Sequence, residues 1–306
     1  MIGESKTGQE TPEWYFPNVP QPSDDDWLRL SRASNFNPLF FDWFQWTGII
    51  STTIAFIQPD SQDFDGLSDR DYALLSSMLV RCSRLVKSIM ALTHEGENGE
   101  TASIIQRSLE ETAIKIMWLC KRDTSERVRR YISDGLKVEL EFEKIIRKTV
   151  AENEGLETEL EERMLRSIQN HIDAASISRE EIGKSKKMPD MAAIHQDVSS
   201  DPKGSRLGYV VQQRLGSHAV HGNWPSLRRD YLTKSEIEGY SLQPNAEPVE
   251  FHVNQFMSGA RYVILAAKAY VGFCLVDKSL NSFNNMLLAA EEELLVQYDK
   301  AIKFGL

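Results

Sequence analysis

The sequence predicts an all-α protein: a multi-helix bundle of long antiparallel helices with an irregular Pro-rich N-terminal segment. Apolar residues recur three and four apart over long runs, no stretch alternates with a period of two, and helix start and stop residues punctuate the runs. With 41% hydrophobic and 26% charged residues in a chain of 306, a sizeable core can be buried and overall disorder is disfavoured. The expectation is roughly six to eight substantial helices and no sheet of three or more strands.

Residues 1–35 form an acidic lead, TPEWYFPNVPQPSDDDW at its centre, in which neither regular helix nor strand is expected. Its aromatics Trp14, Tyr15 and Phe16 are expected to strap it across the body. Residues 36–306 then read as a single helical domain. Tyr72, Leu75, Leu79, Cys82, Val86 and Ile89 step along one face behind the capping signal Ser68/Asp71 and ahead of Gly96, which gives one long helix. A second helix starts near Thr101 and a third near Thr124. A fourth runs from about Glu157 to Gly183, and the charge-laced run between the third and fourth reads as a projecting hairpin. One short helix over Asp190–Asp197 interrupts a Lys/Pro/Ser/Gly-rich connection. A fifth long helix carries RLGYVVQQRLGSHAVH, and an irregular stretch runs from Gly222 to Pro248. Two long helices, 249–276 and 280–303, close the chain as a hairpin, the second capped by Ser279.

Two apolar segments, from Asn37 and from Tyr262, are interrupted by Asp42 and Gln45 and by Lys268, short of the roughly 20 clean apolar residues a membrane span needs. They read as buried helices, so no membrane is expected. The chain opens without the basic start and apolar run of a secretion signal, and Cys82, Cys120 and Cys274 are scattered without a CxxC pair. Reduced, buried thiols in a cytoplasmic protein follow. A net charge of −10 opposes long-range attraction to phosphate backbones, so any nucleic-acid contact needs a local basic patch.

Two stretches carry candidate chemistry. In TASIIQRSLEETAIKIMWLCK, Ile105, Leu109, Thr112, Ile116 and Leu119 make one stripe and Arg107, Glu111, Ile114 and Trp118 a second, nearly opposite one. A helix apolar on two faces is central, so Arg107 and Glu111 are expected to be mostly buried. They form either an internal salt bridge or a polar pocket facing the helix of Ser217 and His221. Glu111→Ala would then cost roughly 2–4 kcal/mol, the scale of an unpaired buried charge.

In GSHAVHGNWPS, helical spacing puts Val210, Arg214, Ser217 and His221 on one face, with His218 at its edge. HxxH supplies at most two metal ligands, with only Glu110 or Glu111 as obvious donors from elsewhere, and neither a metal nor a cofactor is expected. Two readings stay open. The histidines close a helix that Gly222 stops, or Arg214 and His221, with Ser217 and His218 beside them, form an acid/base site in which arginine steadies an anion. Nucleophile elbow, Walker loop, dinucleotide fingerprint and zinc spacing are all missing.

RSLEETAIKIMWLCKRDTSERVRRYISDGLKVE and GYVVQQRLGSHAVHGNWPSL together resemble the two signatures of a bacterial family of all-helical domains of unknown function. That resemblance spans about Leu67–Leu232 and assigns Arg107, Glu111, Tyr209, Ser217 and His221 to its positions, implying a fold but no activity. Arg214 and His221 are also similar to the Arg/His pair of the HEPN superfamily of toxin and phage-defence ribonucleases, although Leu215 stands where that superfamily has a polar residue. Two functions follow. One is a scaffold or interaction module with a buried Arg/Glu/His cluster, able to form a homodimer. The other is a metal-independent, HEPN-like ribonuclease, whose RNA would enter over Arg228, Arg229 and Lys234.

Overall fold

The computed structural model describes residues 17–57, 67–199, 201–274 and 281–306. Ser23 starts the first helix, α1 (Asp24–Ala33), with a capping box: its hydroxyl accepts from Asp26 N while the Asp26 carboxylate accepts from Ser23 N. The Asp run thus supplies the negative first turn that a helix N-terminus favours. This corrects the expectation of an irregular lead to residue 35. Ahead of α1, the Pro17 carbonyl accepts from Trp46 Nε1 (2.9 Å) and the Pro20 carbonyl from Gln297 Nε2 (3.0 Å), which ties this segment to two core helices. Trp14, Tyr15 and Phe16 lie outside the described residues.

The core begins with α2 (Asn37–Ala55), α3 (Asp69–Thr93) and α4 (Gly99–Leu119). Ser68 caps α3 by accepting from Asp71 N, as its sequence signals. Tyr72 donates to the Ile57 carbonyl and Thr52 to Ser83, so α2 and α3 run antiparallel. A long excursion follows. In its first part, α5 (Thr124–Glu152), α6 (Glu159–Ala175) and the short α7 (Arg179–Lys184) close on their own apolar cluster of Leu136, Ile146, Ile168, Ile172 and Ile182. The single helix expected over 157–183 is two helices. Ser176 turns left-handed (φ 50°) and Ser178 opens a new capping box with Glu181.

The second part holds α8 (Met191–Val198), α9 (Pro202–Gly208), a π-helical segment (Tyr209–Leu215) and α10 (Gly216–His221). Gly222, at φ 54°, ends this run where the sequence places the stop. A helical turn, α11 (Trp224–Ser226), leads through a π-type turn (Leu227–Tyr231) into a two-stranded antiparallel hairpin. Its strands are β1 (Leu232–Lys234) and β2 (Leu242–Pro244), with Thr233 opposite Gln243. The hairpin is the sole sheet among the described residues.

The closing helices are α12 (Val253–Cys274) and α13 (Asn281–Lys303), while Ser279 lies outside the described residues. Gln297, buried in α13, accepts from Trp43 Nε1 of α2 at 2.7 Å, a cross-helix tie inside the aromatic core. The two apolar segments of the sequence are α2 and α12, both packed into that core, and no helix among the described residues is long and apolar enough to cross a membrane.

Against α4, helix α12 departs from the antiparallel rule. Gly99 N donates to the Val249 carbonyl (2.6 Å), Gln255 Nε2 to Ser103 Oγ (2.7 Å) and Ser258 Oγ to Glu110 (2.9 Å). Residue numbers rise together along both partners, so α4 and α12 run parallel. A Cβ on Gly99 would sit 2.5 Å from the Glu250 backbone carbon and oxygen, atoms that no rotamer change can move. Gly99→Ala is therefore expected to lower stability by about 2 kcal/mol, against the roughly 1 kcal/mol by which alanine ordinarily favours a helix. Urea unfolding midpoints of the two proteins measure it.

Candidate functional site

Where α4 and α12 run side by side, their first turns and α10 enclose a cavity of about 600 Å³. Glu110 lines it and is 3% exposed. Gln106 Nε2 (2.8 Å) and Ser258 Oγ (2.9 Å) both donate to its Oε1, while Oε2 takes no hydrogen bond from the described residues. Burial pushes the Glu110 carboxyl up to about 7, and the bonds from Ser258 and Gln106 only partly oppose it. Near neutral pH, Glu110 can therefore donate through Oε2 or accept. Gln255 holds the layer together, donating to Ser103 Oγ and Gln106 Oε1 and accepting from Gln106 at its carbonyl.

The acid expected here was Glu111. It is 31% exposed and bridges Lys115 one turn on, at 2.7 Å. That is a solvated i, i+4 pair worth about 0.3–0.5 kcal/mol, so the larger cost expected of Glu111→Ala does not apply. Arg107 is half-buried and packs its stem against Gly216 of α10, which brings α4 onto the histidine-bearing helix. Its guanidinium has no hydrogen bond or ion pair among the described residues. Tyr209 turns elsewhere, edge-on to the ring of His195 (5.8 Å between centroids). His195 is itself buried, with Nε2 unbonded, and burial lowers its pKa.

Arg214 and His221 are exposed and do not line the cavity. His221 is thus no part of a buried Arg/Glu/His cluster, and the polar group here is buried Gln106 and Glu110 with half-buried Gln255 and Ser258. Ser217 and His218 are half-buried on α10, and the Asn223 amide meets Nδ1 of His218. Arg228 and Lys234 are exposed without a carboxylate partner, whereas Arg229 is held by both oxygens of buried Asp230 (2.7 and 2.8 Å). That pairing neutralises Arg229 and removes it from the cations free to meet a phosphate. Among the described residues no three His, Cys, Asp or Glu side chains group as metal ligands do.

The sequence named Glu110 only as a possible metal donor, and its burial went unpredicted because two apolar stripes were projected and it lies on neither. A signal was present: Gly99, Ala102, Gln106 and Ala113 make a third face of small and amide residues, the kind that lets another helix approach closely.

An all-helical chain with a polar, acid-floored cavity beside an exposed histidine-bearing helix is the class that fold and site define. The chain belongs to the Family of unknown function (DUF5677), whose model matches residues 72–240. The match takes in α3 from Tyr72 onward and the α4 and α10 walls of the cavity. The α12 wall lies beyond it. Searches of curated proteins and of solved structures returned no match.

The buried acid has a consequence for stability. A carboxyl whose folded pKa is raised binds its proton more tightly folded than unfolded. Its contribution is full below the ordinary value of 4.5 and is lost as pH rises to about 7. The loss is on the order of 3 kcal/mol. Glu110→Gln, neutral at every pH, is expected to flatten this part of the stability–pH curve, which denaturant melts from pH 4.5 to 8 would show.

Proposed function

We propose that this protein binds single-stranded RNA along the surface of residues 202–234 and cleaves it without a metal, using His221 and Arg214. The reading is carried by one observation: unpaired cations and exposed aromatics gather on one segment of an acidic chain. Lys203, Arg206, Arg214, Arg228 and Lys234 are exposed and have no carboxylate partner among the described residues. The only acid in that stretch, Asp230, is occupied by Arg229. Trp224, 61% exposed, and Tyr231 lie among them. A local positive field of this kind can hold phosphates against a net charge of −10, and a bare indole offers a base a stacking face.

Arg214 and His221 are both exposed and stand seven residues apart on this run, Arg214 in the π-helical segment and His221 at the end of α10. In the proposed step His221 takes the proton of a 2′-hydroxyl, whose oxygen attacks the adjacent phosphorus. The 5′-oxygen leaves with a proton from water, and the product end is a 2′,3′-cyclic phosphate. Arg214 stabilises the charge that gathers on the phosphoryl oxygens.

A second reading, an interaction module that pairs with another copy, is favoured by the exposed aliphatic residues Leu207, Val211, Val220 and Ile237 on and beside the same segment. Light scattering at twice the monomer mass would support it, and the two readings are compatible.

The test is incubation of RNA oligonucleotides with purified protein in EDTA. Wild type is expected to cleave, a 2′-deoxy substitution at the scissile nucleotide to block cleavage, and His221→Ala to abolish it with Tm nearly unchanged, since the side chain is exposed. Trp224→Ala is expected to weaken binding about tenfold, the loss of one stacked base. Intact RNA across several sequences, or a His221→Ala protein that still cleaves, refutes the ribonuclease reading.

A further inference from the structure

The cavity between α4, α10 and α12 lies apart from Arg214 and His221 and takes no part in the proposed RNA chemistry. Its wall carries three charged side chains without an ionic partner among the described residues. Arg107 is one, a half-buried guanidinium whose stem is fixed against Gly216. The others are Glu100, whose one hydrogen bond is a long one from Thr101 (3.5 Å), and Glu250, which is exposed, lies with its carboxylate beside Gly96, and makes no hydrogen bond or ion pair. The remaining charged pair on the wall, Arg229 with Asp230, is already closed on itself.

A half-buried guanidinium without a counter-ion is an anchor for an oxyanion, which it can meet with two parallel N–H donors. A polyanion such as a nucleotide would also meet Glu100 and Glu250, and a simple cation would meet Arg107. A small molecule bearing both an oxyanion and an ammonium group satisfies all three. The volume of about 600 Å³ lies within the range of small-molecule pockets, and the Gln106/Gln255 amides and the Ser103 hydroxyl line or border it as hydrogen-bonding surface. We propose that this cavity binds a small zwitterion of the amino-acid class, its carboxylate held by Arg107 and by the free Oε2 of Glu110, its ammonium by Glu100 and Glu250.

Glu110 is a donor to that carboxylate only while it keeps its proton. The charged or titratable groups around it are Glu100 and Arg107 on α4, Arg229 and Asp230 from the π-type turn, and Glu250 and His252 ahead of α12. Binding should therefore weaken as pH rises through the range in which Glu110 ionises, and Glu110→Gln, which keeps an N–H donor in place, should remove most of that dependence.

The experiment is a thermal-shift and calorimetric titration of the full chain. The probes are the twenty free L-amino acids, with acetate, ethylamine and inorganic phosphate as single-charge comparisons. At least one amino acid is expected to raise Tm saturably, by about 5 °C at a hundredfold excess over its Kd. The three comparison probes are expected to give little shift at the same concentration. Arg107→Gln, a half-exposed substitution that should leave the unliganded Tm within a degree or two, is expected to abolish the response. Wild-type affinity is expected to fall several-fold from pH 6 to pH 8, and that of Glu110→Gln to change far less. The proposal is overturned if no amino acid shifts Tm, if phosphate, acetate or ethylamine gives an equal shift, if Arg107→Gln responds like wild type, or if wild-type affinity is flat across that pH range. RNA is absent from every arm, so a failure here leaves the ribonuclease reading standing, and the reverse.

Discussion

The parallel contact of α4 with α12 is the constraint on which the candidate site depends. Parallel neighbours cannot be joined by a short turn, and the chain between them makes the whole α5–α10 excursion and the hairpin before returning to Val249. The return passes so close to Gly99 that a methyl group there would overlap the backbone at Glu250. From that point, amide and hydroxyl side chains stitch the first turns of the two helices together, and Glu110 is buried at the inner end of the stitching. The cavity opens at this shared end because both helices begin there and α10 leans on Arg107 instead of filling the space.

The π-helical segment decides how α10 is presented. A π turn holds more residues than an α turn, so seven residues in that register rotate everything after them relative to a uniform helix. The outcome is a division along one short run: Gly216 and Ala219 line the cavity, Val211 stands at its exposed rim, and Arg214, Val220 and His221 face solvent. Two candidate sites therefore border the same short run of chain.

Burial of Glu110 is tolerable because it can be neutral. An ionised carboxylate in this position would have two hydrogen bonds and no cation, whereas the protonated form leaves Oε1 as an acceptor for both donors and Oε2 as a hydroxyl facing the cavity. Glu111, one residue along and 100° around the helix, reaches Lys115 and water and has no such requirement.

Local physics determined most of the architecture from sequence alone. Period and caps make α3, α4 and α5 legible to within a few residues, because Ser68, the apolar stripes and the Gly stops act over one or two turns. The same local rules, applied more finely, contain the capping boxes at Ser23 and Ser178 that reveal α1 and separate α6 from α7. The family match and the basic segment around Arg214 and His221 are likewise properties of the linear chain. Which acid is buried was decided only by the tertiary structure, since it depends on the direction from which α12 arrives, and that direction is set by contacts about 150 residues apart in sequence. The fate of His221 was decided there too. A uniform 100° projection cannot anticipate a π register, and Arg229 loses its free charge to a neighbour, Asp230, whose burial depends on how the turn before the hairpin packs against the bundle.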